Sequence, residues 1–467
     1  MVTVPTSVAP PAGSAPDPPG PKGLPWFGSQ GEVRQNPMRF YTRLANEYGG
    51  IVRFFYGRKP TYLISEPELI REFLVEKRDL YVKNTRYALL VRAIGTGLLN
   101  ADGQQWQEQR TASQPGFSRT RIHAQVGRTV DIATEHVERW ERWADTGEPH
   151  DIEPDMSVLI QDLIGYSLLG PVFGEIGKRF VGLVEEIREY WPPTVRTLLG
   201  HLKPPPIRRI KHLKSLLDDL DGMIFGAIRQ QRESQDDNDS LLSILARAEL
   251  GEDGRRFDEQ SLRDQLLTLY FAGFETSASS LTFMLYRLSL QPEIRHRLYA
   301  EVAALDGRPP EKDDLKSLGY TEQCLHETLR IYPPAYNFSR VMLEETTVGG
   351  YRVAKDAMVI VSPYATHRLP EVWPNPEGFD PDRFSEERAA GRSQFAYIPF
   401  GAGHRYCIGG PLALVQMKLI VAVIAQRYRL DVKAGHPVEP IPGTVMRPER
   451  GMPMLIRRSC GVARRLR

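Results

Sequence analysis

Residues 400–410 read Phe-Gly-Ala-Gly-His-Arg-Tyr-Cys-Ile-Gly-Gly, which sets Cys407 in a loop with four glycines, His404 and Arg405. A lone cysteine is usually a small buried hydrophobe, and that is the reading given to Cys324 and Cys460. Cys407 has different neighbours. Gly401, Gly403 and Gly409 permit close backbone approach and unusual dihedrals, and Arg405 brings a cation within two residues, the conditions that favour a thiolate. Pro411 suggests that a helix begins just after the cysteine, adding backbone N–H groups and a favourable dipole. The run Gly401-Ala402-Gly403 does not make a dinucleotide loop. Tyr406 stands at the third glycine position, and no strand-to-helix unit with a following acid surrounds it.

The rest of the chain narrows what that thiolate could hold. The 3 cysteines are far apart and show no CxxC spacing, so neither a disulfide framework nor a structural zinc site is indicated, and a reducing cytoplasm fits. A thiolate with no other soft ligand nearby suits haem iron better than zinc, because the porphyrin supplies the equatorial nitrogens. Across 467 residues, 60 Lys+Arg balance 58 Asp+Glu, giving a formal net charge of +2 and no strong field for nucleic acid or an anionic membrane. The first 25 residues are rich in Pro, Ala and Ser and read as a disordered tail without signal-peptide character, leaving residues 26–467 as the domain. The most apolar run, Leu412 to Ala425, is interrupted by Gln416 and Lys418 and reads as a core helix, not as a membrane span.

Periodicity predicts a helix over Pro37–Tyr48 and a hairpin from Ile51–Phe55 and Thr61–Ser65 around Gly57 and Pro60. Mainly helical patterns follow to about residue 330. A second hairpin is expected within residues 347–362, and Tyr428–Val432 should pair with Pro453–Arg458. The fold class is therefore mainly α with a small, chain-discontinuous β region and no clean linker.

The loop at Cys407 resembles the cysteine-ligand loop of the cytochrome P450 family, Phe-Gly-x-Gly-x-Arg-x-Cys-x-Gly, with every specified position present. The resemblance runs from about Pro18 to the C-terminus. It implies a single large domain of that fold, with haem b (iron protoporphyrin IX) between a long central helix and the cysteine loop, Cys407 as iron ligand and Phe400 beside it. Four further constellations support it. Glu327 and Arg330 lie at i,i+3 in HETLR, an ordinary helix-surface pair in isolation. In the family context they imply a buried triad with Arg383. Trp106 and Arg110, at i,i+4 on one helix face, are similar to the family's propionate-binding pair, although Gln109 stands where many members have His. Arg340, His367 and Arg405 match positions of further propionate contacts. Lastly, YFAGFETSASS lies in an apolar helix predicted over about Ser261–Leu290. Gly273 is costly there, and the Thr276 hydroxyl can bond back to the Ala272 carbonyl, opening the helix beside Glu275. The segment resembles the family's oxygen-activation groove.

The activity so implied is monooxygenation: one oxygen atom from O2 enters a substrate and the other leaves as water. Thr276 would hold the reacting oxygen and Glu275 would resupply protons. No flavin-, nicotinamide- or iron–sulfur-binding segment is evident, so a ferredoxin and its reductase are expected as electron donors to a cytoplasmic monomer. A non-catalytic haem-thiolate sensor, or a family member performing oxidative coupling or desaturation, is the alternative. Substrate-facing segments are expected at Thr85–Leu98, with Tyr87 and Leu89, at Phe271, at Ala335–Phe338 and at Thr444–Met446, with Val445. They are mainly apolar and suit a terpenoid, polyketide or fatty acyl compound.

Overall fold

The computed structural model describes residues 15–83, 94–188, 207–234, 238–251 and 254–459. Helix dominates, at 58% against 13% strand. The described residues fall into two compact units, each built from separated stretches. One comprises the described residues within 1–86, 335–378 and 391–407; the other comprises those within 87–334, 379–390 and 408–467.

The first unit is the β region. Strands Ile51–Tyr56 and Lys59–Ile64 form the expected antiparallel hairpin, with Ile51 opposite Ile64 and Tyr56 opposite Lys59, and Gly57 at φ 64° makes the tight turn. Met358–Val361 adds in parallel to Lys59–Ile64 and antiparallel to Phe338–Met342, and Tyr81–Lys83 completes the five-stranded sheet. Alternation decides which side chains face which layer. Val52, Phe54, Leu63 and Ile360 pack on helix Pro37–Tyr48 through Phe40, Tyr41 and Leu44. Their neighbours Ile51, Tyr62, Ile64, Val359 and Val361 point the other way, onto Ile70, Phe73, Leu74, Phe395 and Ile398. Phe395 and Ile398 thereby anchor the chain that leads into the cysteine loop.

Two expectations change here. The second hairpin is shorter than predicted: Thr346–Val348 pairs with Tyr351–Val353 across Gly349 and Gly350, both at positive φ, whereas Met358–Val361 joins the large sheet. Of the expected tail, residues 15–25 are ordered chain, tied to strands at Pro16 and Pro19. Arg352 N donates to Pro16 O at 2.9 Å, Arg53 N donates to Pro19 O at 2.9 Å, and Ala15 is buried. Prolines suit this position, since an extended segment lying on an edge strand can offer carbonyls without needing its own N–H groups.

The second unit is helical. Its central helix, Glu259–Leu290, starts at Asp258, whose carboxylate accepts from Ser261 N, and packs along helix Ile152–Leu169. Helix Gly410–Arg427 begins at the predicted proline. It is apolar and long enough to cross a membrane, yet 67% of it is buried within the protein, as a core helix requires. Tyr428–Val432 pairs antiparallel with Pro453–Arg458 as expected.

Candidate functional site

In the β-rich unit the cysteine loop is shaped by two glycines. Gly401 and Gly403 have φ near +72°, and a Cβ on Gly403 would lie 2.8 Å from the Leu74 carbonyl oxygen. Gly409 has φ −85° and room for a side chain, so the backbone demand falls on Gly401 and Gly403. The loop closes on itself: Gly401 N donates to Ile398 O at 3.0 Å, Tyr406 N to Gly403 O at 3.1 Å, and Cys407 N to Phe400 O at 2.9 Å. The result is an exposed thiol on a braced backbone, with the Phe400 and Tyr406 rings 6.2 Å apart.

Cations gather in the same unit. Arg340, on strand Phe338–Met342, is 6% exposed, with its guanidinium 5.6 Å from the Tyr81 ring and 5.2 Å from the Phe338 ring. His404 stacks on Tyr81 at 6.3 Å. Burial, followed by the positive charges of Arg405, Arg340 and Arg78, holds the His404 pKa below its ordinary value. Asp79 opposes that shift more weakly than any of these. Such a field disfavours a further proton and favours carboxylates.

His367 belongs to a different task from the one expected of it. Its side chain is fully enclosed, its Nε2 accepts the Ile398 N–H at 2.9 Å, and its ring stacks on Tyr397 at 5.4 Å. With no exposed surface through which to meet a cofactor carboxylate, it braces the segment entering the cysteine loop.

In the helical unit, Thr276 Oγ1 donates to Ala272 O at 2.9 Å, as the sequence suggested, with Gly273 O at 3.4 Å. Residues 262–268 and 277–285 of the central helix are buried, but Leu269, Phe271, Gly273, Glu275 and Thr276 are partly open and Ala272 is exposed. Gly273 has a further reason: a Cβ there would come within 3.1 Å of Ile164 on the neighbouring helix. Nearby, Ser279 Oγ donates to Met446 O and Met446 N donates to Pro334 O at 2.9 Å, which fixes the turn bearing Val445. Trp106 and Arg110 are half-buried on helix Gly103–Ser113. Between them Gln109 is buried and gives its amide N–H to Thr96 O at 3.0 Å, a task the family comparison of that position did not suggest.

Glu327, Arg330 and Arg383 are brought together inside this unit. Arg330 meets both Glu327 oxygens through Nε at 2.7 Å and Nη2 at 2.8 Å, while Arg383 Nε lies 3.4 Å from Glu327 Oε1. The same oxygen accepts the Asp380 N–H at 2.9 Å, a partner invisible to side-chain pattern reading. Of the residues expected toward substrate, Phe271, Phe338 and Val445 are half-buried and Ala335 is exposed. Tyr87 and Leu89 lie outside the described residues.

Comparison with known proteins now adds to this geometry. The chain is 33% identical over 441 residues to cyclooctat-9-en-7-ol 5-monooxygenase of Streptomyces melanosporofaciens, covering 91% of this chain and 90% of that protein. It is 32% identical to cyclooctatin synthase of the same organism, covering 92% of each, and 29% identical to pentalenene oxygenase of Streptomyces avermitilis, covering 92% and 95%. The fold matches the crystal structure of the cytochrome P450DA heme domain with a TM-score of 0.85 and 24% identity, over 96% of this chain and 99% of that one. The family model "Cytochrome P450" matches residues 18–455. An exposed cysteine in a glycine-shaped loop, on a fold of this kind and with relatives of this kind, leads to one conclusion: the chain belongs to the cytochrome P450 family and is a haem-dependent monooxygenase.

Proposed function

We propose that this enzyme binds haem b through Cys407 and oxygenates a terpenoid of specialised metabolism, with electrons delivered to a cytoplasmic monomer by a ferredoxin and its reductase. The terpenoid reading is carried by the relatives at about 30% identity named for cyclooctatin and pentalenene chemistry. The apolar character of Phe271, Phe338, Ala335 and Val445 agrees with it.

The residues suit the cofactor on their chemistry. Cys407 is exposed, and the backbone behind it is already hydrogen-bonded, so its sulfur can ligate without rearranging the loop. Arg340 and Arg405, in the field that disfavours protonation of His404, suit propionate carboxylates, and Trp106 with Arg110 offers a second pair of N–H donors. Within the central helix, the open face at Ala272 and Gly273 has the exposure that a planar ligand could cover. When bound, haem supplies activation of O2 and transfer of one oxygen atom to the substrate. The protein's share is placement of substrate and protons.

Thr276 presents a hydroxyl whose hydrogen already points to the Ala272 carbonyl, leaving its oxygen lone pairs available to accept. A proton can pass through Oγ1 if the hydroxyl gives its own away and receives another, and the half-buried Glu275 beside it is the proposed source. Phe271 and Val445, in the helical unit, are the apolar surface assigned to the substrate. Glu327, Arg330 and Arg383 act on fold and not on chemistry, each charge being enclosed and paired.

The test is spectroscopic titration followed by turnover. Cyclic diterpene and sesquiterpene hydrocarbons and alcohols are added to holoenzyme while the Soret band is followed, and binders are incubated with ferredoxin, reductase and NADPH. A saturable shift followed by oxygenated product supports the proposal. Tight binders that are never oxygenated by any electron donor would favour a ligand-sensing protein, and fatty acids outcompeting every terpenoid would move the substrate class.

A further inference from the structure

The three most exposed large hydrophobic side chains among the described residues are Leu24 at 68%, Trp26 at 73% and Phe27 at 64%, all in one turn. Exposed apolar side chains scattered singly need no explanation, but three on one projecting turn do. The turn is not loose chain. Leu24 N donates to Gly28 O at 2.9 Å and Gly28 N returns a bond to Leu24 O at 2.8 Å. Gly57 N donates to Phe27 O at 3.2 Å and Ser29 N to Phe55 O at 2.7 Å, pinning the turn to the sheet hairpin. A Cβ on Gly28 would fall 2.1 Å from the Phe55 carbonyl oxygen, so only glycine permits this seat. Trp26 itself sits at φ +66°, a conformation that disfavours a bulky residue and that the surrounding bonds impose. The backbone is thus fixed in a form that holds the apolar side chains outward, where collapse onto the sheet would otherwise cover them.

The rim is cationic. Lys22 is exposed on the approach to the turn, and Arg58 and Lys59 are exposed on the hairpin, with the Arg58 guanidinium 5.0 Å from the Trp26 ring centre. No acid occurs between Asp17 and Glu32, and those two are committed to Arg53 and Arg43. Tryptophan, phenylalanine and leucine flanked by lysine and arginine is the chemistry that settles at the boundary between headgroups and acyl chains of an anionic bilayer. We propose that the turn Leu24–Phe27 is an interfacial anchor, which dips its three apolar side chains into the surface of an anionic membrane while Lys22, Arg58 and Lys59 lie at the level of the lipid phosphates. This goes beyond the oxygenation reading and does not depend on it.

The holoenzyme is floated with phosphatidylcholine vesicles, with and without phosphatidylglycerol. We expect association that is strongest with phosphatidylglycerol and weakened by salt, brominated lipid quenching the Trp26 contribution to the wild-type fluorescence, which Trp26→Phe and Trp26→Ser both remove, and flotation that Trp26→Phe keeps and Trp26→Ser weakens. Leu24→Ser with Trp26→Ser and Phe27→Ser should lower partitioning by about tenfold or more, and Lys22→Gln with Arg58→Gln and Lys59→Gln should remove the preference for anionic lipid. Each variant is checked for unchanged haem content and thiolate spectrum; if the triple serine variant does not fold, the brominated-lipid quenching of the wild type against Trp26→Ser decides. Absence of flotation in the wild type overturns the proposal, as does equal flotation of the triple serine variant. Concentration-dependent self-association, or binding to the ferredoxin, that the triple variant abolishes in the absence of vesicle binding assigns the turn to a protein partner and likewise overturns it.

Discussion

The cysteine loop and the Glu327 cluster both depend on arginine, and they use it in opposite ways. Around Glu327 the charges are enclosed: one carboxylate takes two bonds from Arg330, one from the Asp380 backbone and an ion pair from Arg383, with Glu327 and Arg330 fully buried. Around the cysteine loop, Arg340, Arg405 and Arg78 bear together on His404, with Asp79 opposing them, and the thiol of Cys407 is exposed. A closed set of partners specifies fold, since any deletion strands a charge. Cations converging beside an exposed thiol instead shift the protonation of their neighbours, which is the usual signature of a site that meets a ligand.

The largest effect is expected where the loop offers its sulfur. Cys407→Ser should abolish the carbon monoxide spectrum typical of reduced haem thiolates and all oxygenation, because a hydroxyl is a far poorer ligand and donor. An unchanged spectrum would move the ligand elsewhere and erase the contrast.

Glu327→Ala comes next. Two guanidinium groups lose their shared carboxylate inside the protein, a loss of roughly 3–5 kcal/mol, so urea unfolding and haem content of the purified protein should both report failure. Normal haem content at wild-type stability would show that the cluster can open to water, making it resemble the loop.

A smaller and more selective change is expected for Thr276→Ala. The lost bond to Ala272 O and the better helix propensity of alanine nearly offset, leaving stability within about 1 kcal/mol. Product formed per NADPH consumed should fall while the thiolate spectrum stays, and peroxide should rise. Undiminished coupling would take the hydroxyl out of the chemistry.

The smallest effect sharpens the comparison most directly. Since Arg405 is one of the charges depressing His404, Arg405→Gln should raise the His404 pKa toward 6.5, measurable by NMR titration. The sign for stability follows. A histidine with a depressed folded pKa contributes fully above its unfolded value and loses that contribution as pH falls through the folded one, so the wild type should lose stability below about pH 6.5. The variant should lose less over the same window. An unmoved His404 would mean that burial alone sets its protonation.

How much of this was readable in the amino-acid sequence depends on the range of the interaction. The hairpin at Ile51–Ile64, the helix Pro37–Tyr48 and the bond from Thr276 to Ala272 are local, and their patterns announce them. The Glu327 cluster was reachable only through family resemblance, because an isolated i,i+3 pair says nothing about burial. His367 was assigned a cofactor contact, but whether an imidazole meets a ligand or the Ile398 N–H depends on a segment 31 positions away. Residues 15–25 looked like tail because their composition is that of disorder; what orders them are N–H groups on Arg53 and Arg352, donated by distant strands. Gly273 was explained by helix opening alone, and the part played by Ile164 requires knowing which helix lies alongside.

The chain-discontinuous β-rich unit has a consequence for biosynthesis. Strand Lys59–Ile64 emerges early from the ribosome, but its parallel partner Met358–Val361 follows only after the whole helical middle of the chain. At ~5–20 residues per second, the intervening ~290 residues take on the order of 15–60 s. Throughout that interval the hairpin carries an unpaired edge, and an edge left waiting is where nascent chains misassociate. Parallel pairing over such a separation also closes slowly, since a long loop must be ordered before any contact forms. The cysteine loop, later still, can settle only once this sheet exists to receive Phe395 and Ile398. Yield of holoenzyme should therefore be governed by how long the first hairpin is kept from aggregation, and slower synthesis or a chaperone that shields strand edges should raise it more than extra haem does.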